Sequence, residues 1–268
     1  MSKHSKDIND FVNICDDMWL KGWCEANAGN ISMRMSHESV EKYSDKINKS
    51  EWISLYVEYE NLANDFFIVT ASGCFLKNIS KDFFGNAGII HLDDKGKNYK
   101  IIKGFNNNSS PTSELASHLA IHSLRKKITN GIDKIVVHAH PSNLISLTNL
   151  LSLDSEKLTR LLWEIQNESI IVFPDGVGYL PWMLPGSSDI APATAALFEK
   201  HRLVVWQFHG VLAAGKDTDT AFGLIDTAEK EASIYLKCLS AGGIKYKLTN
   251  EQIKALAKNY NVNPIYPL

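Results

Sequence analysis

The chain has little of what marks several large protein classes. Its four cysteines, Cys15, Cys24, Cys74 and Cys238, are scattered and form no CxxC pair, which excludes a disulfide framework or a cysteine-built zinc ribbon. No apolar run approaches the roughly 20 residues that span a bilayer. Internal repeats and low-complexity tracts are also missing, which excludes solenoids and disordered linkers. Neither sign of charge dominates: 28 lysines and arginines stand against 30 acids, a net charge of −2. No electrostatic footprint for nucleic acid or for an anionic membrane follows from such a balance. The polar start MSKHSKDIND has no secretory pattern, so reduced thiols and a cytoplasmic location are expected. What is present is 268 residues with 44% hydrophobic content, enough for one large domain over 1–268 with a substantial core, and a small-molecule ligand is expected.

Apolar periodicity predicts a helix from Ile8 to about Glu25, followed by a turn at Asn27–Asn30 and a strand at Ile31–Met35. The stretch from Ser36 to Asn64 is polar and ambiguous. Phe66–Thr70 reads as a buried strand running into the small residues Ala71, Ser72 and Gly73. His91-Leu92 and Tyr99–Ile102 are strand-like and precede a loop at Asn106–Ser110. Pro111 is expected to open a helix to Lys127, capped by Ser110. Strands are expected at Ile135–His140, Ile170–Phe173 and Leu203–Phe208, and helices at Ser155–Gln166, Ser188–Lys200 and Asp217–Leu239. Thr249 and Gln252 have the spacing of a capping box for a last helix. The pattern alone indicates an α/β or α+β chain in three layers.

The segment VVHAHPSN, residues 136–143, carries the chemistry. On a strand His138 and His140 point to one side and Ala139 to the other, a two-nitrogen pincer. Buried imidazoles must be satisfied, and two on one face are harder to satisfy than one. His209 ends another apolar strand just before Gly210. Three imidazoles at strand ends can hold a mid-row divalent ion and leave one coordination position open. A rival set is Glu114, His118 and His122, one stripe of the 111–127 helix, but eight residues of helix spread its ends over about 12 Å. Glu114 alone could still join the histidine site. A cupin would place a glutamate soon after the second histidine, and here Pro-Ser-Asn-Leu-Ile follows.

The runs KGWCEANAGNIS (21–32), IVTASG (68–73), PTSE (111–114), HAHPSNLI (138–145), VFPDGVG (172–178), PWMLPG (181–186), FHG (208–210) and FGLIDTAEK (222–230) together resemble the class II aldolase/adducin superfamily, and its sugar-phosphate aldolases in particular. The resemblance implies a three-layer α/β/α fold around a largely antiparallel sheet, one Zn²⁺ per subunit, and a homotetramer with sites at subunit interfaces. It further implies reversible retro-aldol cleavage of a ketose 1-phosphate. His138, His140 and His209 would be the zinc ligands, Glu114 the carboxylate that exchanges a proton with the substrate, and Glu168 a group that reaches a neighbouring subunit's site. Asn27, Gly29, Asn30, Ser72, Gly73, Thr112 and Ser113 match the phosphate- and ketone-binding loops. Ala71 and Cys74 depart from the family's pattern around the Ser-Gly loop, so no extra cation is expected there.

Overall fold

Period and capping together set the first helix of the computed structural model, which describes residues 5–44, 51–106 and 109–268. Residues 1–4 of the polar start, 45–50 of the ambiguous segment and 107–108 of the Asn106–Ser110 loop lie outside the described residues. Helix α1 (Lys6–Leu20) buries Ile8, Phe11, Ile14, Cys15 and Met18 on one face, with the Ser5 hydroxyl accepting from the Ile8 amide. It stops short of the expected Glu25 because Gly22, at φ +72°, turns the chain and lets the Trp23 amide close onto the Met18 carbonyl. There follow β1 (Asn30–Arg34), α2 (His37–Ser44), β2 (Ile53–Ser54), β3 (Phe66–Thr70), α3 (Phe83–Asn86), β4 (Ala87–Leu92), β5 (Asn98–Gly104), α4 (Leu115–Ile128), β6 (Ile135–Ala139), α5 (Ser142–Leu150), α6 (Ser155–Trp163) and α7 (Asn167–Val172). The chain continues through β7 (Val177–Leu180), α8 (Ile190–Leu197), β8 (Leu203–Trp206), β9 (Gly210–Gly215), α9 (Thr218–Ser240) and α10 (Asn250–Asn259).

The strands form one mixed sheet in the order β2-β5-β4-β3-β1-β6-β9-β8-β7, and each neighbouring pair is antiparallel except β7 with β8. Side-chain alternation divides the core between the two faces. Ile135, Val137, Val205, Val211 and Ala213 pack with residues of α1, α5, α6 and α9. Val136, Val204, Trp206, Leu212 and Ala214 pack instead with Ile121 of α4 and Ile190 of α8. His138 and His140 share the face of Val136, so the pincer opens on the α4 side.

Several expectations shift for physical reasons. Ile170–Phe173 is not a strand: it lies in and just after α7, where Ser169 Oγ bonds the Leu162 and Gln166 carbonyls and Ile170 is buried. A four-residue apolar run fits either a buried helical turn or a strand, and tertiary contacts decide. The strand forms beyond the Pro174-Asp175-Gly176 turn, as β7. Pro111 does not open a helix. It bridges Ala71 in extended conformation, the Ser110 carbonyl accepts from the Ser72 amide at 2.8 Å rather than Ser110 capping a helix, and α4 begins only after Glu114. β8 ends at Trp206, before the expected Phe208, which takes φ +62° in a tight turn into β9. The Thr249–Gln252 capping box is present on α10, and Asp217 caps α9. Strand β9 and helix α5 carry no signal that periodicity separates from their neighbours.

Candidate active site

Antiparallel pairing brings the histidines to one rim of the sheet. Asn30, the first residue of β1, lies opposite His138, and Val211, near the start of β9, lies opposite Ala139 at the end of β6. β3 ends at the same rim, where Thr70 accepts from the Thr112 amide at 3.0 Å and ties in the 110–114 segment. Gly210 makes the crossing possible: a Cβ there would stand 2.5 Å from the Ala139 carbonyl oxygen and 2.8 Å from the His140 ring. Gly29 is constrained as well, at φ +78° and with a Cβ there standing 3.2 Å from the His138 carbonyl oxygen.

One ring nitrogen from each of His138, His140 and His209 gathers within 4.8 Å of the others, and among the described residues this is the cluster whose donor atoms could hold a metal ion. Each ring is held from behind. His138 Nδ1 donates to the Val211 carbonyl at 2.9 Å, and His140 Nδ1 donates to Glu25 at 2.9 Å. Trp206 packs against the rings of both His138 and His209, with centroids 5.3 and 5.1 Å away. Both Nδ1 protons are committed to acceptors, so the Nε2 lone pairs of His138 and His140 face each other at 3.1 Å. Two facing lone pairs need a cation between them. Nitrogen ligands about 2.1 Å from a tetrahedral zinc lie about 3.4 Å apart, close to the separation here. Burial and the neighbouring imidazole hold His138 down at about 3, and burial with the adjacent His138 ring holds His209 at about 4. Both imidazoles are therefore neutral at physiological pH, the form in which a ring nitrogen can bind a metal.

Glu114 faces this cluster, with Oε2 3.6 Å from His138 Nε2 and Oε1 3.9 Å from His209 Nε2. Its own amide donates to Thr112 Oγ1 at 3.3 Å. The rival stripe is not a ligand set: His118 and His122 sit behind Glu114, joined by Ser32, whose Oγ lies 2.7 Å from His118 Nδ1 and 2.8 Å from His122 Nε2. Burial holds His118 at about 4 and His122 well below the ordinary imidazole value, so both are neutral.

The small-residue loops meet beside the cluster. Thr112 is buried; Asn27, Ser72, Gly73 and Ser113 are exposed on the 27–30, 71–74 and 110–114 loops. The Ala71–Pro111 bridge joins the latter two loops. Ala71 and Cys74 are buried, and burial pushes the Cys74 thiol up to about 11, so this loop offers neither a cation nor a thiolate. Asn30 is buried, and its amide Nδ2 donates to Glu114 Oε2 at 2.9 Å. Glu168 is exposed on α7, apart from the histidines, in a cleft of about 400 Å³ that it lines with Lys21, Trp23, Asn143 and Asp226. Glu25, which holds the His140 ring, is a residue of this cluster that sequence reasoning missed. It lies within the KGWCEANAGNIS run, and a metal-binding histidine regularly needs a carboxylate at its second nitrogen. Burial raises the Glu25 carboxyl, but the His140 hydrogen bond, a backbone hydrogen bond and the nearby imidazoles together outweigh it and leave the group lowered.

A family model described as class II aldolase and adducin N-terminal domain matches residues 9–236. The rhamnulose-1-phosphate aldolase of Klebsiella pneumoniae subsp. pneumoniae is 44% identical over 259 residues, 96% of this chain and 94% of that protein. The enzyme of the same name from Mannheimia succiniciproducens is 45% identical over 96% of this chain and 95% of its own length. Among solved structures, a sugar-phosphate aldolase from Thermotoga maritima superimposes with a TM-score of 0.76 at 31% identity, covering 89% of this chain and 97% of that one.

Proposed function

Because the chain belongs to the class II aldolase and adducin family, we propose that it reversibly cleaves L-rhamnulose 1-phosphate to dihydroxyacetone phosphate and L-lactaldehyde, a step of rhamnose catabolism. The observation that carries this reading is a carboxylate, Glu114, facing a cluster of neutral imidazoles on the rim where the glycine loops meet. His138, His140 and His209 would hold one Zn²⁺ per chain. The ion supplies a positive charge that stabilises the enediolate left when the carbon–carbon bond breaks.

The residues of the chain do the rest. In the synthetic direction Glu114 takes the proton from the hydroxyl-bearing carbon of dihydroxyacetone phosphate, and in cleavage it returns that proton. The amides and hydroxyls of Asn27, Gly29, Ser72, Gly73, Thr112 and Ser113 form a neutral cradle for the phosphate and the ketone end, away from the histidines. Asn30 serves Glu114 first. Trp206 and the buried face of α4 keep water from one side of the cluster. Glu168 acts at the aldehyde end of a neighbouring subunit's site.

We read the architecture as one α/β/α domain over 1–268, supported by the two apolar clusters on opposite faces of the sheet. A cytoplasmic homotetramer with sites at subunit interfaces is the accompanying reading. Among the described residues no helix is long and apolar enough to cross a membrane. Exposed Trp182, Leu184 and Tyr56, and an apolar groove of about 1040 Å³ between the 55–61 segment, α4 and α8, support burial against other subunits.

The test is release of dihydroxyacetone phosphate from L-rhamnulose 1-phosphate by purified protein, with L-fuculose 1-phosphate alongside and a chelated control. Chelator-sensitive release from the rhamnulose substrate is expected. Preference for the fuculose substrate would reassign the sugar, and no release from either by metal-loaded protein would overturn the aldolase reading in favour of another chemistry of the superfamily, such as 4-epimerisation of a pentulose phosphate, with a non-catalytic, adducin-like role behind it.

A further inference from the structure

Behind Glu114 a single file of polar groups runs from α4 across β1 and back, and donor–acceptor logic fixes its direction. Glu114 as a carboxylate only accepts, so the Asn30 atom 2.9 Å from its Oε2 is the amide nitrogen. The Asn30 carbonyl then faces His118 Nε2 at 2.5 Å, and that nitrogen must carry the proton. A neutral His118 has a bare Nδ1, which accepts from the Ser32 hydroxyl at 2.7 Å. The hydroxyl has one proton and has donated it, so at 2.8 Å it accepts from His122 Nε2. Each link is buried or half-buried, and both imidazoles are almost wholly enclosed. Turning any one group would leave a buried donor facing a donor or an acceptor facing an acceptor, with the desolvation of each left uncompensated.

We propose that His118, held in its Nε2-protonated tautomer by Ser32 and His122, is a positioning residue for the general base. It locks the Asn30 amide so that the NH₂ engages Glu114 Oε2, which leaves Oε1 as the oxygen that takes the substrate proton. The inference rests on the aldolase reading of Glu114. The motifs hold Asn30, Ser32 and Glu114 within recognisable runs, but the bonds Asn30–Glu114, Ser32–His118 and Ser32–His122 span 84 to 90 positions, and only the fold brings these pairs together. The alternative role for the two histidines, plain core filling, requires no particular tautomer. An apolar ring of similar size would serve it equally well.

The experiment has two arms. In the first, ¹⁵N-labelled protein carrying its metal is examined by NMR for the ring-nitrogen signals of His118, with Ser32→Ala as the control that frees Nδ1. The Nε2–H tautomer is expected in the unmutated protein, and an Nδ1–H tautomer would overturn the proposal. This arm reads the wire without reference to turnover, so it stands even if the aldolase assay fails. In the second, His118→Phe keeps the ring volume and removes both nitrogens, and His118→Gln restores a donor near the Nε2 position. His118→Phe is expected to lower kcat by roughly 10- to 100-fold, the scale of a misaimed catalytic group. KM should stay within about twofold and metal content unchanged, because neither the phosphate cradle nor the three ligands is touched. His118→Gln should recover most of the rate. Equal kcat in His118→Phe and the unmutated protein would overturn the proposal, as would equal losses in His118→Phe and His118→Gln. If His118→Phe does not fold, Ser32→Ala carries the kinetic arm, with a smaller fall in kcat expected and an unchanged kcat overturning the assignment.

Discussion

Glu231 lies on the buried face of α9 with none of its surface exposed. Neither carboxyl oxygen has a well-formed hydrogen bond among the described residues, and the nearby Ser169 hydroxyl, which also faces the Leu162 and Gln166 carbonyls, offsets only part of the cost of burial. Burial, reinforced by the charge of Glu168, pushes the group from 4.5 up to about 8. The native state therefore keeps its proton at neutral pH while the unfolded chain releases it near 4.5. Stability from this group is full below about 4.5 and is lost as pH rises toward 8, at up to about 3 kcal/mol by pH 7. Glu231→Gln has nearly the same shape and no proton to lose. It should unfold at the same urea concentration as the unmutated protein near pH 4.5 and be more stable by about 1–3 kcal/mol at pH 7.5. A pH-independent difference would show that the carboxyl is not held neutral. The same residue-scale view explains what the sequence revealed of the site. His138 and His140 declare themselves through strand alternation, and Glu114 through its place in PTSE. Their partners do not: Glu25 is 115 positions from His140, and the Asn30–Glu114 bond spans 84. Such pairs have no local period to give them away.

Between elements, the fold binds the site together through helix ends. Helix α5 leaves directly from the His138–His140 strand, and its N-terminus has no side-chain cap of its own at Pro141. Glu229 of α9 supplies one, accepting from the Asn143 amide at 3.0 Å, the Asn143 side chain at 2.6 Å and the Leu144 amide at 2.9 Å. At the other end of α5, Thr148 Oγ1 accepts from the Phe208 amide at 3.1 Å, one residue before His209. Helix α5 thus sets the distance between the His138–His140 pair and His209. Glu229→Ala should cost about 1–2 kcal/mol of stability, the scale of a lost cap. It should also weaken zinc binding roughly tenfold with all three ligands intact, as loss of an orienting partner does. Titration with zinc and a competing chelator measures this, and an unchanged affinity would show that α5 does not set the ligand spacing. Neither this tie nor α5 itself was legible in the sequence, because the cap-type residues Ser142 and Asn143 lie inside the helix while Pro141, at its N-cap, has no capping side chain to announce it. The misreading of Ile170–Phe173 has the same origin. Short apolar segments take their conformation from what they pack against, whereas the long α9 and the α10 capping box were readable because their signals are local.

At the scale of the molecule, the three imidazoles sit on or just beyond the ends of strands that are already paired. His138 lies within the β6–β9 ladder and bonds the Val211 carbonyl, and His140 bonds both Glu25 and, through its amide, the Trp23 carbonyl at 2.8 Å. A metal bound there would add stability to a sheet rim whose hydrogen bonds do not depend on it, unlike a small zinc module whose core is the ion. Chelation should therefore leave the far-ultraviolet circular dichroism of the protein unchanged and lower its Tm. Free zinc at about 1,000 times its Kd contributes about 4 kcal/mol by mass action. For a chain of this size that corresponds to a Tm difference of about 10 °C between metal-loaded and chelated protein. Returning zinc should restore the Tm, and His140→Ala should respond far less because the facing pair of lone pairs is gone. Loss of the helical signal on chelation would mean that the sheet rim needs the ion to form. A Tm indifferent to chelator and to zinc would mean that the three imidazoles do not hold a metal.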